Sequence, residues 1–464
     1  MPMTAIILAA GEGTRMKSRH PKVLHKLLDR PLVSWVTRAA RMAGAERIIV
    51  VVGHGADEVR AHLSAEKDVE CVEQTERLGT GHAARVAIEA AGVSSGPVVI
   101  LNGDLPLISP ETVRSFADAV SDGSHAAAIL TMTPPDPFGY GRVELAGDGT
   151  VARIIEQKDC TDEQSAELLE CNAGCYAFDG ALLAEHIGEI GNDNAQHEYY
   201  LPDMVEILRG HGHATTIVHC EDYREGLGTN DRIQLAELTA IARDRINARL
   251  MSEGVTMMDP ATTWVGPDVT VGRDTVLLPM TMLWGETSVG EECVLGPNTR
   301  LTNCTVADNV SLEETVGADV TIERDVTCGP RAYLRGGAHV LEGAHVGTHV
   351  EIKNSTIGRG SKVPHLSYIG DCTMGAGVNI GGGSITCNYD GVHKNRTTIG
   401  DNVFIGSDTM MVAPVNIGDG ALVGASSCVT KDVPADALYL ERADQRIVEG
   451  YAARRLERLK KGEA

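Results

Sequence analysis

Near the N-terminus, Leu8-Ala9-Ala10-Gly11-Glu12-Gly13-Thr14-Arg15-Met16 leaves a short apolar run, and Pro21-Lys22 follows it. Gly11 and Gly13 let backbone N–H groups approach phosphate oxygens, and Arg15 adds charge and donors. Alone, a G-x-G is more often a tight turn. It is not the dinucleotide fingerprint, because Met16 stands where the third glycine belongs, and no G-K-S/T follows as in a P-loop. Farther on, Asn102-Gly103-Asp104 ends a second apolar run. A hard carboxylate at a strand end suits Mg²⁺ beside a triphosphate, whereas an isolated Asp could equally be a turn or helix cap. In the second half, His365 lies in the polar stretch Ser361–Asp371 with Tyr368 close by. Imidazoles titrate near neutral pH, as a general base for an amine should. His345 and His349 lack the Glu of H-E-x-x-H and do not read as a metal site.

The elements that must position these groups differ between the two halves. Ala5–Leu8, Ile48–Val52 and Val98–Leu101 read as strands, alternating with helices at Leu32–Ala43, Ala83–Ala91 and Thr112–Val120. That alternation predicts a doubly wound α/β domain over residues 1–230, with a largely parallel sheet. Ligands bind at the carboxyl ends of such strands, where the glycine loop and Asp104 fall. Val143–Ile155, with the turn Gly147-Asp148-Gly149, reads as an added hairpin. Residues 231–254 carry Leu235, Leu238, Ala242, Ile246 and Leu250 on one helical face and read as a linking helix, ended by Gly254.

Beyond it the sequence repeats every six residues: VGPDVT, VGRDTV, LLPMTM, LWGETS, VGEECV, LGPNTR. Val265, Val271, Leu277, Leu283, Val289, Leu295 and Leu301 are the aliphatic anchors. After slips the phase resumes at Val316, Ile322, Val340, Val346 and Ile352, then at Val363, Ile369, Ile399, Ile405, Met411, Ile417 and Val423. A six-residue period fits neither a helix nor a simple strand alternation; it predicts a parallel β-helix over 255–437, with a C-terminal tail at 438–464. Polar interruptions at Ser361–Asp371 and Thr386–Arg396 leave this scaffold, and extruded loops are where function concentrates.

At 464 residues the chain exceeds one core. Its net charge of −23 argues against nonspecific nucleic-acid binding or anionic membranes, while leaving small anions to local basic groups. No apolar run reaches a membrane span, and the N-terminus lacks a signal-peptide pattern. The eleven cysteines are scattered without a CxxC, so reduced thiols in the cytoplasm are expected rather than zinc or disulfides.

The glycine loop, Pro21-Lys22, Gln74, Leu78-Gly79-Thr80-Gly81 and Asn102-Gly103-Asp104 together resemble the sugar-1-phosphate nucleotidylyltransferases, and most closely the UDP-N-acetylglucosamine pyrophosphorylases, over about Met3 to Asn230. The resemblance implies that Leu8, Ala9, Ala10, Gly11, Gln74, Gly79 and Thr80 recognise the uridine end of UTP. It places Gly141, Glu156 and Asn172 around the sugar and Asn102 and Gly103 in the same nucleotide and sugar site, gives Arg15 and Lys22 catalytic roles on the phosphates, and makes Asp104 and Asn230 the Mg²⁺ ligands. Asn102 stands where a Tyr is expected.

From Val265 onward, the hexads, His365-Leu366-Ser367-Tyr368, Asn388-Tyr389-Asp390-Gly391 and Ser407 resemble the glucosamine-1-phosphate acetyltransferase domain, a left-handed β-helix. The whole chain thus resembles the bacterial bifunctional family that makes UDP-N-acetylglucosamine for peptidoglycan and lipopolysaccharide. Implied roles are His365 as base, Arg335, Lys353, Tyr368 and Asn379 at the acceptor glucosamine 1-phosphate, and Gly382, Asn388, Tyr389, Ser407, Ala425 and Arg442 at acetyl-CoA. Asn388 and Tyr389 also border the acceptor. Pro364 replaces an expected Gly, and Gly382 an expected Ala. The same resemblance implies a homotrimer, while the net charge and the lack of a long apolar run point to no nucleic-acid partner and no membrane insertion. Without it, Arg335 and Lys353 would read as solvated rim charges, and the basic run Arg454, Arg455, Arg458, Lys460, Lys461 reads as a solvated or disordered tail. Two competitors stay open: a nucleotidylyltransferase whose β-helix only regulates or oligomerises, and a non-catalytic assembly subunit of the same architecture.

Overall fold

The computed structural model describes the chain except Met1, Asp148, Ala195, Arg442, Ala443, Glu463, Ala464 and the side chain of Lys158. The chain divides into two compact units, residues 1–245 and 246–464.

In the first unit, strands rich in Ile and Val are buried on both faces, as a sheet covered by helices requires. The strand order is Thr215–His219, Ala127–Met132, Cys171–Asp179, Pro97–Asn102, Met3–Ala9, Ala45–Val52, Val69–Glu73. Met3–Ala9 lies between two parallel neighbours, with Leu8 opposite both Val51 and Asn102. Cys171–Asp179 is antiparallel to both its neighbours, so the sheet is largely but not wholly parallel. Arg142–Leu145 and Val151–Ile155 form the added hairpin. Helices Leu32–Ala43 and Pro110–Ser121 pack on one face, and Thr80–Ala91 on the other. The glycine loop and Asn102-Gly103-Asp104 leave adjacent strands at their carboxyl ends, and Gly103 N–H donates to the Leu8 carbonyl at 2.9 Å.

The long helix Arg232–Ser252 serves each unit separately. Leu238 and Ala242 pack with Leu27, Leu32 and Leu107 in the first. Leu250 joins the core of the second, where Asn247 Nδ2 also donates to the carbonyls of Pro260 and Thr263 at 2.9 Å. Gly254 follows with φ +105°, the left-handed stop that glycine supplies.

The second unit is a left-handed β-helix, a prism of three parallel sheets with eleven, ten and nine strands. Hexad anchors such as Leu277, Leu283 and Leu295 are fully buried. The fifth positions, Val269, Thr275, Thr281, Thr287, Cys293 and Thr299, are buried as well, and threonine hydroxyls there satisfy corner carbonyls, as Thr281 does to Leu278 at 2.7 Å. Fourth positions turn the corners: Asp274, Met280, Glu292 and Asn298 have φ of 59°, 62°, 57° and 55°. At the second position, a Cβ on Gly272 would lie 2.5 Å from the Gly290 carbonyl carbon of the next coil. Coils stacked this closely leave no room for a side chain.

One anchor differs from the sequence reading. Val316 points outward between Arg300 and Tyr333, and Gly317 faces the core between Leu301 and Leu334. The reason is a change in coil length. Contacts between successive coils span 18 residues at Cys293–Thr275, but 17 at Cys304–Thr287 and 16 at Thr315–Thr299. A strict six-residue count loses phase there. A further strand, Leu438–Tyr439, pairs with Leu422–Val423. The basic run lies on a fully exposed helix, Tyr451–Lys460, with Lys461 as its C-terminal cap, rather than on a disordered tail.

Candidate active sites

In the first unit, three cavities meet at Asn102. The largest, about 630 Å³, is lined by Leu8, Ala9, Ala10, Gly11, Lys22, Gln74, Gly79, Thr80, Asn102 and Asp104. Arg15, Asp104 and Asn230 line a second of about 400 Å³, and Glu156, Asn172 and Thr80 a third of about 250 Å³. Every nucleotide- or sugar-site residue named from the sequence lies here or braces the wall. Gly103 packs against Leu8, and Gly141 sits 3.7 Å (as a built Cβ) from Glu156 Oε1.

Local geometry explains several of these positions. Gly13, with φ +63°, admits the Lys22 stem: a Cβ there would lie 2.6 Å from Lys22 Cβ. Gln74 is buried, and its amide nitrogen donates to the Gly79 carbonyl at 3.1 Å. Asn172 donates to the Tyr176 hydroxyl at 2.7 Å while accepting from Gly174 N–H at 2.9 Å. Asn102, at the position where a Tyr was expected, donates to the Gly174 carbonyl at 3.1 Å.

Arg15 Nη2 donates to Asn230 Oδ1 at 2.8 Å, and Lys22 Nζ donates to the same oxygen at 3.3 Å. The Lys22 ammonium also pairs with Asp104 Oδ2. One cation therefore already bridges the Asp104 and Asn230 oxygens, two hard donors lining one cavity, the type of ligand that suits Mg²⁺.

Sequence reasoning missed Tyr140, Glu198 and Tyr200 in these walls. Glu198 and Tyr200 lie on a connecting segment without glycine signatures or periodicity, and Tyr140, though flanked by Gly139 and Gly141, lies in a turn whose glycines alone do not mark a ligand site. Asp203 also escaped it. Burial first, then the charges of Glu206 and Glu156, push its carboxyl up to about 6. The folded state thus binds this proton more tightly than the unfolded chain. Stability from it is complete below the unfolded value near 4 and is lost as pH rises through about 6. Asp203→Asn is accordingly expected to raise the melting temperature at pH 8 and to leave it unchanged at pH 4, as measured by thermal scans at both.

In the second unit, Arg335, Lys353 and Tyr368 share the ten-stranded sheet, with Arg335 in register with Lys353. Arg335 Nη1 donates to Glu351 at 2.8 Å, and its guanidinium lies 5.9 Å from the Tyr333 ring centroid. Lys353 Nζ is 3.7 Å from Asp371 Oδ2. Asn388 Nδ2 donates to that carboxylate and, at 3.3 Å, to the Tyr368 hydroxyl. Burial pushes the Asp371 carboxyl up, but donation from Asn354 and Asn388 and the nearby lysines hold it below its ordinary value. Lys394, in the Thr386–Arg396 loop, shares a hydrogen bond with Lys353 that raises the proton affinity of Lys353 and lowers that of Lys394. An arriving anion favours the charged form of both side chains. Lys394 and Asp371 were not singled out from the sequence, because only the fold brings them to Lys353.

Gly370 lets the Tyr368 ring lie flat against the strand, since a Cβ there would overlap its hydroxyl end. Gly370→Ala is therefore expected to lower acetyl transfer by about 10-fold through a displaced ring, on the order of a misplaced positioning group, with uridylyl transfer unchanged in the same preparation.

His365 is exposed at the end of the strand Lys362–His365, directly before the corner that leads to Tyr368. Its carbonyl accepts from Ser367 Oγ at 2.7 Å. A built Cβ on Gly382, one coil on, lies 3.4 Å from His365 Cβ, and Ser407 and Ala425 follow on successive coils at the same corner. Tyr389 is exposed in the Thr386–Arg396 loop, and its hydroxyl donates to the Gly391 carbonyl at 2.6 Å. Asn379 is not brought to the Arg335 face: it stands in register with Lys362 on the eleven-stranded sheet. Arg442 lies outside the described residues.

A nucleotide-type α/β unit followed by a hexapeptide prism defines a two-domain transferase. Residues 5–155 match the MobA-like NTP transferase domain family, and 396–431 the bacterial transferase hexapeptide family of six repeats. Bifunctional protein GlmU of Streptomyces avermitilis is 46% identical, with 98% of this chain and 95% of that protein covered. The GlmU proteins of Geobacter metallireducens and an Exiguobacterium species are 48% and 43% identical, covering 96% and 98% of this chain and 97% and 100% of their own. The chain belongs to the bifunctional GlmU family, as one polypeptide carrying a nucleotidyltransferase and an acyltransferase.

Proposed function

We infer that the chain makes UDP-N-acetylglucosamine in two steps. The prism transfers acetyl from acetyl-CoA to the 2-amine of glucosamine 1-phosphate. The α/β unit then joins the resulting N-acetylglucosamine 1-phosphate to UTP, releasing pyrophosphate. The product feeds peptidoglycan and lipopolysaccharide-type envelope precursors. The observation that carries this reading is the coexistence of two separate constellations on one chain: Arg15–Lys22–Asp104–Asn230 in the first unit, and in the second His365 at the corner before Tyr368, whose hydroxyl shares Asn388 with the Asp371–Lys353 pair.

For uridylyl transfer, Leu8–Gly11, Gln74, Gly79 and Thr80 hold the uridine end in the large cavity, while Glu156 and Asn172 hold the sugar in the small one. A sugar-phosphate oxygen attacks the α-phosphorus and pyrophosphate departs, so no covalent enzyme group is needed. Arg15 and Lys22 orient the phosphates and balance their charge. Asp104 and Asn230 would hold Mg²⁺, which supplies further charge neutralisation on the triphosphate when bound. Arg15 and Lys22, which occupy these oxygens in the free chain, are released to the phosphates.

For acetyl transfer, the sugar phosphate settles on Arg335, Lys353 and Lys394, where its negative charge favours protonation of both lysines. His365 takes a proton as the amine attacks the thioester carbonyl, and coenzyme A leaves as the thiol. Gly382, Ser407 and Ala425 run up the corner from His365 and form the coenzyme's path. Asn379 reaches an acceptor only from a different sheet face, which favours a homotrimer in which neighbouring prisms complete each other's sites. Among the described residues no helix is long and apolar enough to cross a membrane, and we place the enzyme in the cytoplasm.

Purified protein incubated with glucosamine 1-phosphate, acetyl-CoA, UTP and Mg²⁺ should form the nucleotide sugar, and omission of any one should stop it. Failure of the complete mixture would defeat the bifunctional reading.

A further inference from the structure

Away from all three cavities, the first unit gathers two imidazoles and a carboxylate that neither reaction uses. His186 Nδ1 lies 2.6 Å from Glu189 Oε1, and His211 Nε2 lies 2.9 Å from Glu189 Oε2. The two rings stack with centroids 4.1 Å apart, and a third imidazole, His213, lies 6.3 Å from His186. One ligand atom from each of His186, Glu189 and His211 falls within 4.8 Å of the other two. His–carboxylate pairs alone can explain a single such contact. Two imidazoles converging on one carboxylate, with a third beside them, form a donor set that matches a borderline divalent ion, nitrogen-rich with one hard oxygen.

We propose that His186, Glu189 and His211 form a binding site for a transition-metal dication of the Zn²⁺ type, separate from both active sites. Bonds of about 2.0–2.2 Å to such an ion put its ligand atoms roughly 3.3 Å from one another, so the cluster must rearrange slightly, the 2.6 and 2.9 Å His–Glu contacts opening while the remaining spread, within 4.8 Å, closes. It is built to do so: His186 is buried and fixed at the end of the helix Gly180–His186, whereas Glu189 and His211 are exposed and free to swing in. Water completes the coordination, or His213 does after a small loop shift.

The placement gives the ion a mechanical consequence. Glu189 precedes the connection 191–202, and His211 directly follows the helix Asp203–Gly210 that succeeds it. Gln196, Glu198 and Tyr200 of that connection line the nucleotide and sugar cavities. A bound ion would therefore clasp the two feet of the segment that walls the first active site.

The test is equilibrium dialysis of the full-length, tag-free chain, stripped with chelator, against buffered Zn²⁺. One ion per chain is expected, with affinity weakened by about 10–100-fold or more in His211→Ala and in Glu189→Gln. Both altered side chains are exposed, and circular dichroism verifies their fold. Asp104→Ala should keep the ion, which separates this site from the active-site carboxylate. With Cu²⁺ as probe, electron paramagnetic resonance should lose one coupled imidazole nitrogen in His211→Ala. Equal Zn²⁺ binding by the unmodified chain and both variants, absence of binding, or loss that follows Asp104 instead would each overturn the proposal.

Discussion

Replacing His365 with Ala is expected to lower acetyl transfer by about 10²–10⁴-fold, the range set by loss of a positioned general base. A thioester is an activated acyl donor, so alignment and removal of one proton are the whole demand on the prism. His365 is suited to that demand by position. It is exposed at a corner, with Tyr368 and the lysine pair on one side and the Gly382–Ser407–Ala425 corner on the other. The substitution removes no buried contact, so the prism should fold and melt as before. Uridylyl transfer from supplied N-acetylglucosamine 1-phosphate, assayed on the same sample, should be unchanged. A loss confined to the KM for glucosamine 1-phosphate, with kcat intact, would instead make His365 a binding group. Near-normal acetylation would remove it from the chemistry.

The prism was legible in the sequence because its physics is periodic. Each hexad needs an inward aliphatic, a small fifth residue and a corner, and those demands recur wherever coils stack. Legibility failed at Val316, where coils shortened from 18 to 16 residues and moved the inward position to a glycine. Hydrophobicity cannot mark an inward Gly317. The doubly wound unit was readable in a different way, since buried strands alternate with amphipathic helices and end in glycine-bearing turns. The antiparallel strand Cys171–Asp179 carries no such mark, because strand direction depends on what the connections permit rather than on the strand's own residues.

The candidate sites divide along the same line. Arg15 and Asp104 sit in short motifs that follow strand ends and Lys22 opens a short helical turn after Pro21, and the fold gathers the three. Asn230 lies far along the chain and was placed only by resemblance, yet it accepts from both cations. Lys394 and Asp371 were missed because their meaning is entirely spatial: an exposed lysine in a polar loop is ordinary until it touches a second lysine. Asn379 shows the converse. Its chemistry fits the acceptor, but a single chain holds it on another face of the prism.

The complementary expectation is that Asp104→Ala abolishes uridylyl transfer, by on the order of 10³-fold, while acetyl transfer continues. Several kcal/mol of charge stabilisation at the triphosphate depend on a dication held beside it, and each 1.4 kcal/mol is tenfold in rate. Asp104 is the only carboxylate among the four polar side chains that meet there, Asn230 being neutral and Arg15 and Lys22 cationic. Removing it leaves two positive groups and a single amide oxygen, a poor cradle for Mg²⁺. Addition of EDTA to the unmodified enzyme should reproduce the loss, whereas acetyl transfer should tolerate both treatments. Lys22→Ala should also lose uridylyl transfer, but through the phosphates rather than the ion, so its Mg²⁺ dependence should remain that of the unmodified chain. If Asp104→Ala still turned over UTP at its former Mg²⁺ requirement, the carboxylate would be a brace for Lys22 and the ion would be held elsewhere.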